Sequence, residues 1–97
     1  MAIQVGAMTE AVKRAIAESD KDARETERRL RHVIRSAEPN DGRKFPHWFG
    51  NGWFVLVRKS KAELWHSCHY DARKASKIME GSRTAATYAA FAQAMGL

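Results

Sequence analysis

The chain has 97 residues, of which 44% are apolar and 29% are charged, and it carries a net charge of +6. This length allows one hydrophobic core, so we predict a single domain over residues 1–97, helical over 1–38 and formed by a sheet and C-terminal helices over 43–97. The composition excludes general disorder and a membrane span, and the first residues lack the basic and apolar regions of a signal peptide, so we expect a cytoplasmic protein with no membrane partner.

The first predicted element is an amphipathic helix over residues 8–37, because the apolar residues there recur with a 3.6-residue period. The apolar stripe is thin between Ile16 and Leu30, where Ser19 and Asp20 offer a cap for a second helix. One long helix and two abutting helices therefore both fit. The turn-forming residues 39–42 end this helical region.

Three antiparallel strands in a meander are predicted next. Residues 45–49 form an edge strand that tolerates Pro46, and Gly50-Asn51-Gly52 forms a hairpin turn. Residues 53–57 are continuously apolar, as in a central strand covered on both faces, and residues 62–69 form the third strand. Covering both faces in so short a chain is consistent with a homodimer, in which a second subunit shields one face.

One or two helices are predicted to complete the fold. Asp71 has the position of an N-cap for a helix over residues 72–80. Gly81 interrupts that helix, and Ser82 is placed to cap a last helix that runs to about Met95. The predicted fold class is α+β, with a long N-terminal helix (or two), a three-stranded antiparallel meander, and one or two C-terminal helices.

Four arginines on the first helix are the first candidate binding residues. At 100° per residue they fall within about 60° of one another and about 135° from the centre of the apolar stripe, and they extend along about 16 Å of helix. Guanidinium groups bind phosphate oxygens with paired donors, so this row suits a nucleic acid backbone. The alternative is a solvated helix face whose arginines pair with Asp20, Glu25 and Glu27. The four residues, here called the arginine stripe, are Arg24, Arg28, Arg31 and Arg35.

A second group of cations lies in residues 42–97, which hold nine basic and three acidic side chains and therefore the whole charge excess. Such asymmetry is typical of proteins with a polyanionic partner. The alternative for the lysines of the hairpin turn is protection of a sheet edge against pairing with another strand. The candidate residues of this second group are Arg43, Lys44, Arg58, Lys59, Lys61, Arg73, Lys74 and Lys77.

The predicted order α-β-β-β-α, with basic residues opening the penultimate helix, resembles the double-stranded-RNA-binding domain. The family's basic cluster is matched loosely by Arg73, Lys74, Ser76 and Lys77, with Ser76 at the small position. The family's Gly-Pro-x-His loop has no counterpart, since Pro46 and His47 are adjacent and precede the first hairpin turn. The resemblance is one of architecture, and it implies phosphate contact by this cluster.

Aromatic and histidine residues are the remaining candidates. We expect Trp48 to be the most exposed tryptophan and able to stack on a base, while the other two pack in the core. The single cysteine, Cys68, excludes an internal disulfide and is expected to be buried. His66, Cys68 and His69 cannot all lie on one face of a strand, and no paired spacing predicts zinc, so we expect no metal and no cofactor.

Two functions remain open from the sequence. The first is a small basic module that binds DNA or RNA through phosphate contacts and has little sequence preference. The alternative is a protein-binding accessory or inhibitor that acts on a larger protein or ribonucleoprotein complex, as phage-encoded anti-CRISPR proteins do; this rests on small size and the lack of motifs. No carboxylate pair, phosphate-binding glycine loop or catalytic motif is evident, so we predict no enzymatic activity and no catalytic residue.

Overall fold

The computed structural model describes residues 10–97, except for the side chains of residues 10, 12 and 15–20. The fold class is α+β, as predicted, with two α-helices and one antiparallel sheet that has four strands rather than three. The predicted helical residues 8 and 9 lie outside the described residues. The elements are α1 (Glu10–Ser36), β1 (His47–Gly50), β2 (Trp53–Val57), β3 (Lys61–His66), a single 3-10 turn (Ala72–Lys74), β4 (Ser76–Ser82) and α2 (Ala85–Met95).

The first helix, α1, is continuous over its 27 residues, so the alternative with two abutting helices is not what forms. Its buried side chains among the described residues are Leu30, Val33 and Ile34, which lie four or fewer residues apart and face the sheet. They pack with Val55 and Phe91 in the larger hydrophobic core. These spacings are those that the sequence periodicity predicts for the core-facing stripe.

The four strands lie in the order β1-β2-β3-β4, each antiparallel to the next. In the central pair, Phe54 lies opposite Trp65 and Val55 lies opposite Leu64. Because side chains alternate along a strand, Val55 and Leu64 face the helices while Phe54 and Trp65 face away from them. The prediction that β2 is covered on both faces is confirmed, since residues 54–57 are fully buried.

The chain itself covers the face of the sheet that points away from the helices. Phe54, Leu56 and Trp65 form a second, smaller core there, and Ala72 and Ala75 of the following turn pack against it. A second subunit is therefore not needed to bury the central strand.

The predicted helix over residues 72–80 is wrong. Asp71 does cap, accepting a hydrogen bond from the Arg73 amide at 2.9 Å, but only a single 3-10 turn follows. Residues 76–82 instead form β4, which pairs with β3. The hydrogen-bonding edge of β3 would otherwise be unpaired, and pairing it outweighs a weak local preference for helix.

The last helix begins later than predicted, at Ala85, and its N-cap residue is Thr84 rather than Ser82. It packs on the same face of the sheet as α1, with Phe91 almost completely buried. Gly81 of β4 lies directly beneath it, where an added Cβ atom would be 2.5 Å from the Thr87 hydroxyl. The glycine that was predicted to interrupt a helix therefore permits close packing between β4 and α2.

Within residues 10–97, neither helix combines the length and the apolar character that a membrane span requires.

Candidate nucleic-acid interface

The arginine stripe lies on the exposed side of α1. All four side chains are exposed, whereas the nearby residues Leu30, Val33 and Ile34 are buried against the sheet. The Arg31 guanidinium lies over the Tyr88 ring of α2, 4.8 Å from its centroid, and this contact holds the third arginine of the stripe against α2.

None of the four stripe arginines forms an ion pair or a hydrogen bond with another side chain in the part of the chain that the structure describes. The predicted alternative paired the stripe with Asp20, Glu25 and Glu27. Glu25 and Glu27 form no such pair, and the Asp20 side chain lies outside the described residues. The last nine residues of α1, 28–36, contain four arginines and no carboxylate. A row of guanidinium groups with unused donors therefore faces solvent.

The cations of the second half are arranged differently, because carboxylates of the sheet hold several of them. Lys61 contacts Glu80 at 2.5 Å and Glu63 at 3.6 Å, and Lys77 contacts Glu80 at 2.9 Å. The hydrogen bonds from Lys61 and Lys77 lower the pKa of Glu80 to about 2, and the bond to Glu80 raises the pKa of Lys61. Their charges are therefore largely compensated within the protein.

Arg58 is a structural residue rather than an exposed member of a basic turn. Its guanidinium donates to the carbonyl oxygens of Asn40 and Gly42 at 3.3 and 2.7 Å and contacts Glu63 at 3.4 Å. Burial alone raises the pKa of Glu63, but the hydrogen bond from Trp65 and the charge of Arg58 outweigh it and hold that pKa below its usual value. Arg58 thus joins the loop after α1 to Glu63, on the face of the sheet that points away from the helices.

Among the remaining cations of the second group, some side chains contact other protein groups and others have no ion pair. The Arg43 guanidinium lies 4.3 Å from the Trp65 ring centroid and donates to the Ala72 carbonyl at 3.0 Å. Lys44 pairs with Asp41 at 3.5 Å, and Arg73 pairs with Asp71 at 3.2 Å. By contrast, Lys59 and Lys74 are exposed and have no ion pair within the described residues.

The paired lysines of the sheet and the arginine stripe lie on opposite sides of the sheet. Lys61 and Trp65 lie on the same face of β3, and Lys77 is opposite Trp65 on β4, so these residues share the face that points away from the helices. The arginine stripe belongs to a helix packed on the other face. The predicted penultimate helix, whose start would have carried Arg73, Lys74 and Lys77, is absent, and with it the architectural resemblance to the double-stranded-RNA-binding domain.

Comparisons with known proteins do not identify the ligand. No family model, no curated protein and no solved structure matches the chain. The placement and charge of the residues described above are therefore the observations that bear on function.

Two exposed aromatic residues were missed by the sequence analysis. Trp48 is half-buried, with its ring 4.7 Å from Phe54 and 5.4 Å from Tyr70, so it is not a free stacking platform. The aromatic side chains that do reach solvent are Phe45, 88% exposed, and Tyr70, 58% exposed. Phe45 immediately precedes Pro46, and a proline disfavours right-handed helical backbone at the residue before it. This is the one sequence signal of the unusual conformation of Phe45.

The histidine and cysteine group does not form a metal site. Among the side chains that the structure describes, no three from His, Cys, Asp or Glu are close enough to hold a metal ion. His66 Nε2 lies 2.9 Å from the Asn51 carbonyl oxygen, and its ring packs against Trp53. The expectation that Cys68 is buried is wrong, because the strand ends at His66 and Cys68 lies exposed in the turn. The absence of enzymatic activity stays a prediction.

Proposed function

We propose that the chain is a small nucleic-acid-binding module that contacts phosphates through the arginine stripe of α1. The observation that supports the proposal is the row of four exposed guanidinium groups with no carboxylate partner in the described part of the chain. Exposed arginines that serve only solubility are commonly paired with acidic neighbours on the same helix. Here Glu25 and Glu27 are available in sequence but form no such pair.

The chemistry of the row fits a phosphate backbone. Each guanidinium offers a planar set of donors that can bind two phosphate oxygens together. The stripe extends along about 16 Å, a length of duplex that carries on the order of ten phosphates, so several can be contacted at once. Arginine contacts to phosphates position a protein without reading base identity, and we therefore propose binding with little sequence preference, to DNA or RNA.

The second group of cations contributes less to the proposed interface than the sequence predicts. Desolvating Lys61 or Lys77 for a phosphate would require giving up existing contacts with carboxylates, which offsets the gain. Arg43 already contacts the Trp65 ring, and Arg58 already contacts Glu63. Lys59 and Lys74 are the members of this group without an ion pair in the described part of the chain.

The test compares two charge-matched double variants for binding to a short labelled duplex. Arg24→Gln/Arg28→Gln removes two free stripe guanidiniums, and Lys61→Gln/Lys77→Gln removes two cations that already pair with a carboxylate. Both lower the net charge by the same amount. Fluorescence anisotropy is measured across a range of salt concentrations.

We expect the stripe variant to bind about 50-fold more weakly at 0.1 M salt, with the slope of log K against log salt reduced by about 1.8. The control variant should keep a slope and affinity close to those of the original chain. Equal losses in the two variants would show that only net charge matters and would contradict the proposed site. If the original chain bound neither duplex nor single strand at low salt, the proposal would fail, and the alternative of a protein-binding accessory or inhibitor would replace it.

A further inference from the structure

Two exposed aromatic side chains project from loops with unusual backbone, one before β1 and one after β3. Phe45 and Tyr70 both have φ of 54°, in the left-handed region. Asn51 shares this conformation, but it lies in an Asn-Gly hairpin turn, where it is expected. Bulky aromatic residues are rarely found in the left-handed region, because their Cβ atom crowds the following carbonyl. Backbone strain of this kind clusters at binding surfaces.

Phe45 is held in this conformation by a fixed network. The Asn40 side-chain amide donates to the carbonyl oxygens of Lys44 and Phe45 at 3.0 and 2.9 Å, while its oxygen accepts from the Val57 amide of β2 at 2.9 Å. The loop is therefore tied to the central strand, yet the Phe45 ring stays 88% exposed. A rigid backbone that presents an uncovered ring loses little conformational entropy on binding.

Tyr70 is positioned by a separate turn, which follows β3. Ser67 is almost fully buried; its carbonyl accepts from the Tyr70 amide at 3.3 Å and its hydroxyl accepts from the Asp71 amide at 3.1 Å. The Tyr70 ring packs beside Trp48, with centroids 5.4 Å apart. The hydrogen bond from Arg43 to the Ala72 carbonyl joins the loop of Phe45 to the turn of Tyr70.

The charges around these two rings favour a polyanion. Arg43 and Lys44 precede Phe45, and Arg73 and Lys74 follow Tyr70, whereas the acidic residues of the same loops are Glu38, Asp41 and Asp71. Four cations thus lie among three carboxylates, two of which pair with Lys44 and Arg73. Exposed rings beside a positive excess match the binding mode of single-stranded nucleic acids, in which bases stack on aromatic side chains and cations follow the backbone.

We propose that Phe45 and Tyr70 form a second contact surface that stacks on unpaired bases, so that the nucleic-acid partner contains a single-stranded segment. This inference rests on the proposed function and adds a class of ligand to it. It uses residues other than those of the arginine stripe, and the two surfaces can therefore be tested separately. A duplex, whose bases are already stacked, contacts the stripe but gains nothing from the two rings.

The experiment measures binding of a labelled oligothymidine of about 10 nucleotides and of a duplex of the same length, at about 50 mM salt. The variants are Phe45→Asn and Tyr70→Asn, because asparagine tolerates left-handed backbone and should preserve the fold. Ile78→Asn is the matched control, since it removes another exposed apolar side chain, 45% accessible, from the edge strand β4. Tyr70→Phe keeps the ring and should bind as the original chain does, which distinguishes stacking from a loss of folding.

We expect Phe45→Asn and Tyr70→Asn each to weaken oligothymidine binding by about tenfold while duplex binding changes less than about twofold. Ile78→Asn should change neither. Unchanged oligothymidine binding in both asparagine variants, or equal losses for duplex and single strand, would overturn the inference. If the original chain bound duplex but not oligothymidine, the inference would fail while the proposed function stood; if it bound neither, both would fail.

Discussion

Arg83 fixes the C-terminal end of α1, and its removal gives a prediction of defined size. From the short connection between β4 and α2, its Nε atom donates to the Ile34 carbonyl at 2.7 Å and its Nη2 atom donates to the Ala37 carbonyl at 2.6 Å. The last carbonyls of a helix have no partner within the helix, and a cation there also interacts favourably with the helix dipole. Arg83 therefore caps α1 from a residue almost fifty positions away.

The perturbation is Arg83→Met, which keeps the aliphatic part of the side chain and removes the charge and the donors. Hydrogen bonds from a charged donor contribute about 1.5–3 kcal/mol each. Arg83 is half-buried, so water can reach part of the site and replace some of this. Taking the lower end for both bonds, we expect the free energy of unfolding to fall by about 3 kcal/mol, a large part of the roughly 5–15 kcal/mol of a small domain.

The assay is urea denaturation followed by tryptophan fluorescence. With a denaturant slope of about 1–3 kcal/mol/M, the midpoint should fall by roughly 1–3 M. Arg83→Lys should lie between the two, because an ammonium group keeps the charge but lacks the planar pair of donors. Arg73→Met serves as a surface control and should leave the midpoint nearly unchanged, since that arginine is exposed and its ion pair with Asp71 is screened by solvent. A loss below about 0.5 kcal/mol for Arg83→Met would refute the assignment of Arg83 as the cap.

Three further predictions concern pH and packing. The pKa of Glu80 falls from 4.5 to about 2 on folding, so its contribution to stability is present above about pH 4.5 and is lost as the pH falls toward 2; acid titration of Glu80→Gln, followed by circular dichroism, should show a shallower loss in that range. Burial, and then the charge of Arg29, lower the pKa of His47 below 6.5 in the folded protein. As the pH drops through 6.5, His47 therefore takes up a proton in the unfolded state before it does so in the folded state, and the free energy of unfolding should fall. His47→Gln should flatten this part of the plot of stability against pH. Gly81→Ala places a Cβ atom 2.5 Å from the Thr87 hydroxyl and should cost about 1–3 kcal/mol, and Thr87→Ala in the same chain should restore part of the loss in thermal denaturation.

The parts of the fold that follow from local periodicity were predictable. The spacing of Leu30, Val33 and Ile34 defines which side of α1 faces the sheet, and the uninterrupted apolar run of β2 indicates a strand buried on both faces. The fourth strand was not predictable in this way. Residues 76–82 carry no strong alternation, and they become a strand because β3 offers an unpaired edge.

In the candidate site, too, the features set by local periodicity could be predicted, and those set by strand pairing could not. Positions on one helix can be calculated from the helical repeat, and the exposure of the arginine stripe follows from it. Whether a cation of the sheet is free depends on cross-strand register, which brings Glu63 and Glu80 opposite each other between Lys61 and Lys77. Sequence spacing does not contain that register, so compensated and free cations of the second half could not be told apart.

The capping of α1 by Arg83 also constrains the order in which the protein can assemble during synthesis. The helix is the first element of the described chain to leave the ribosome, but its described core partners begin with β1 and extend to Phe91, and its cap comes from residue 83. Contacts so distant in sequence form late, because a long loop must close first. We therefore expect α1 to remain undocked on the nascent chain until residues 83–91 have left the ribosome, with its arginines accessible throughout that interval.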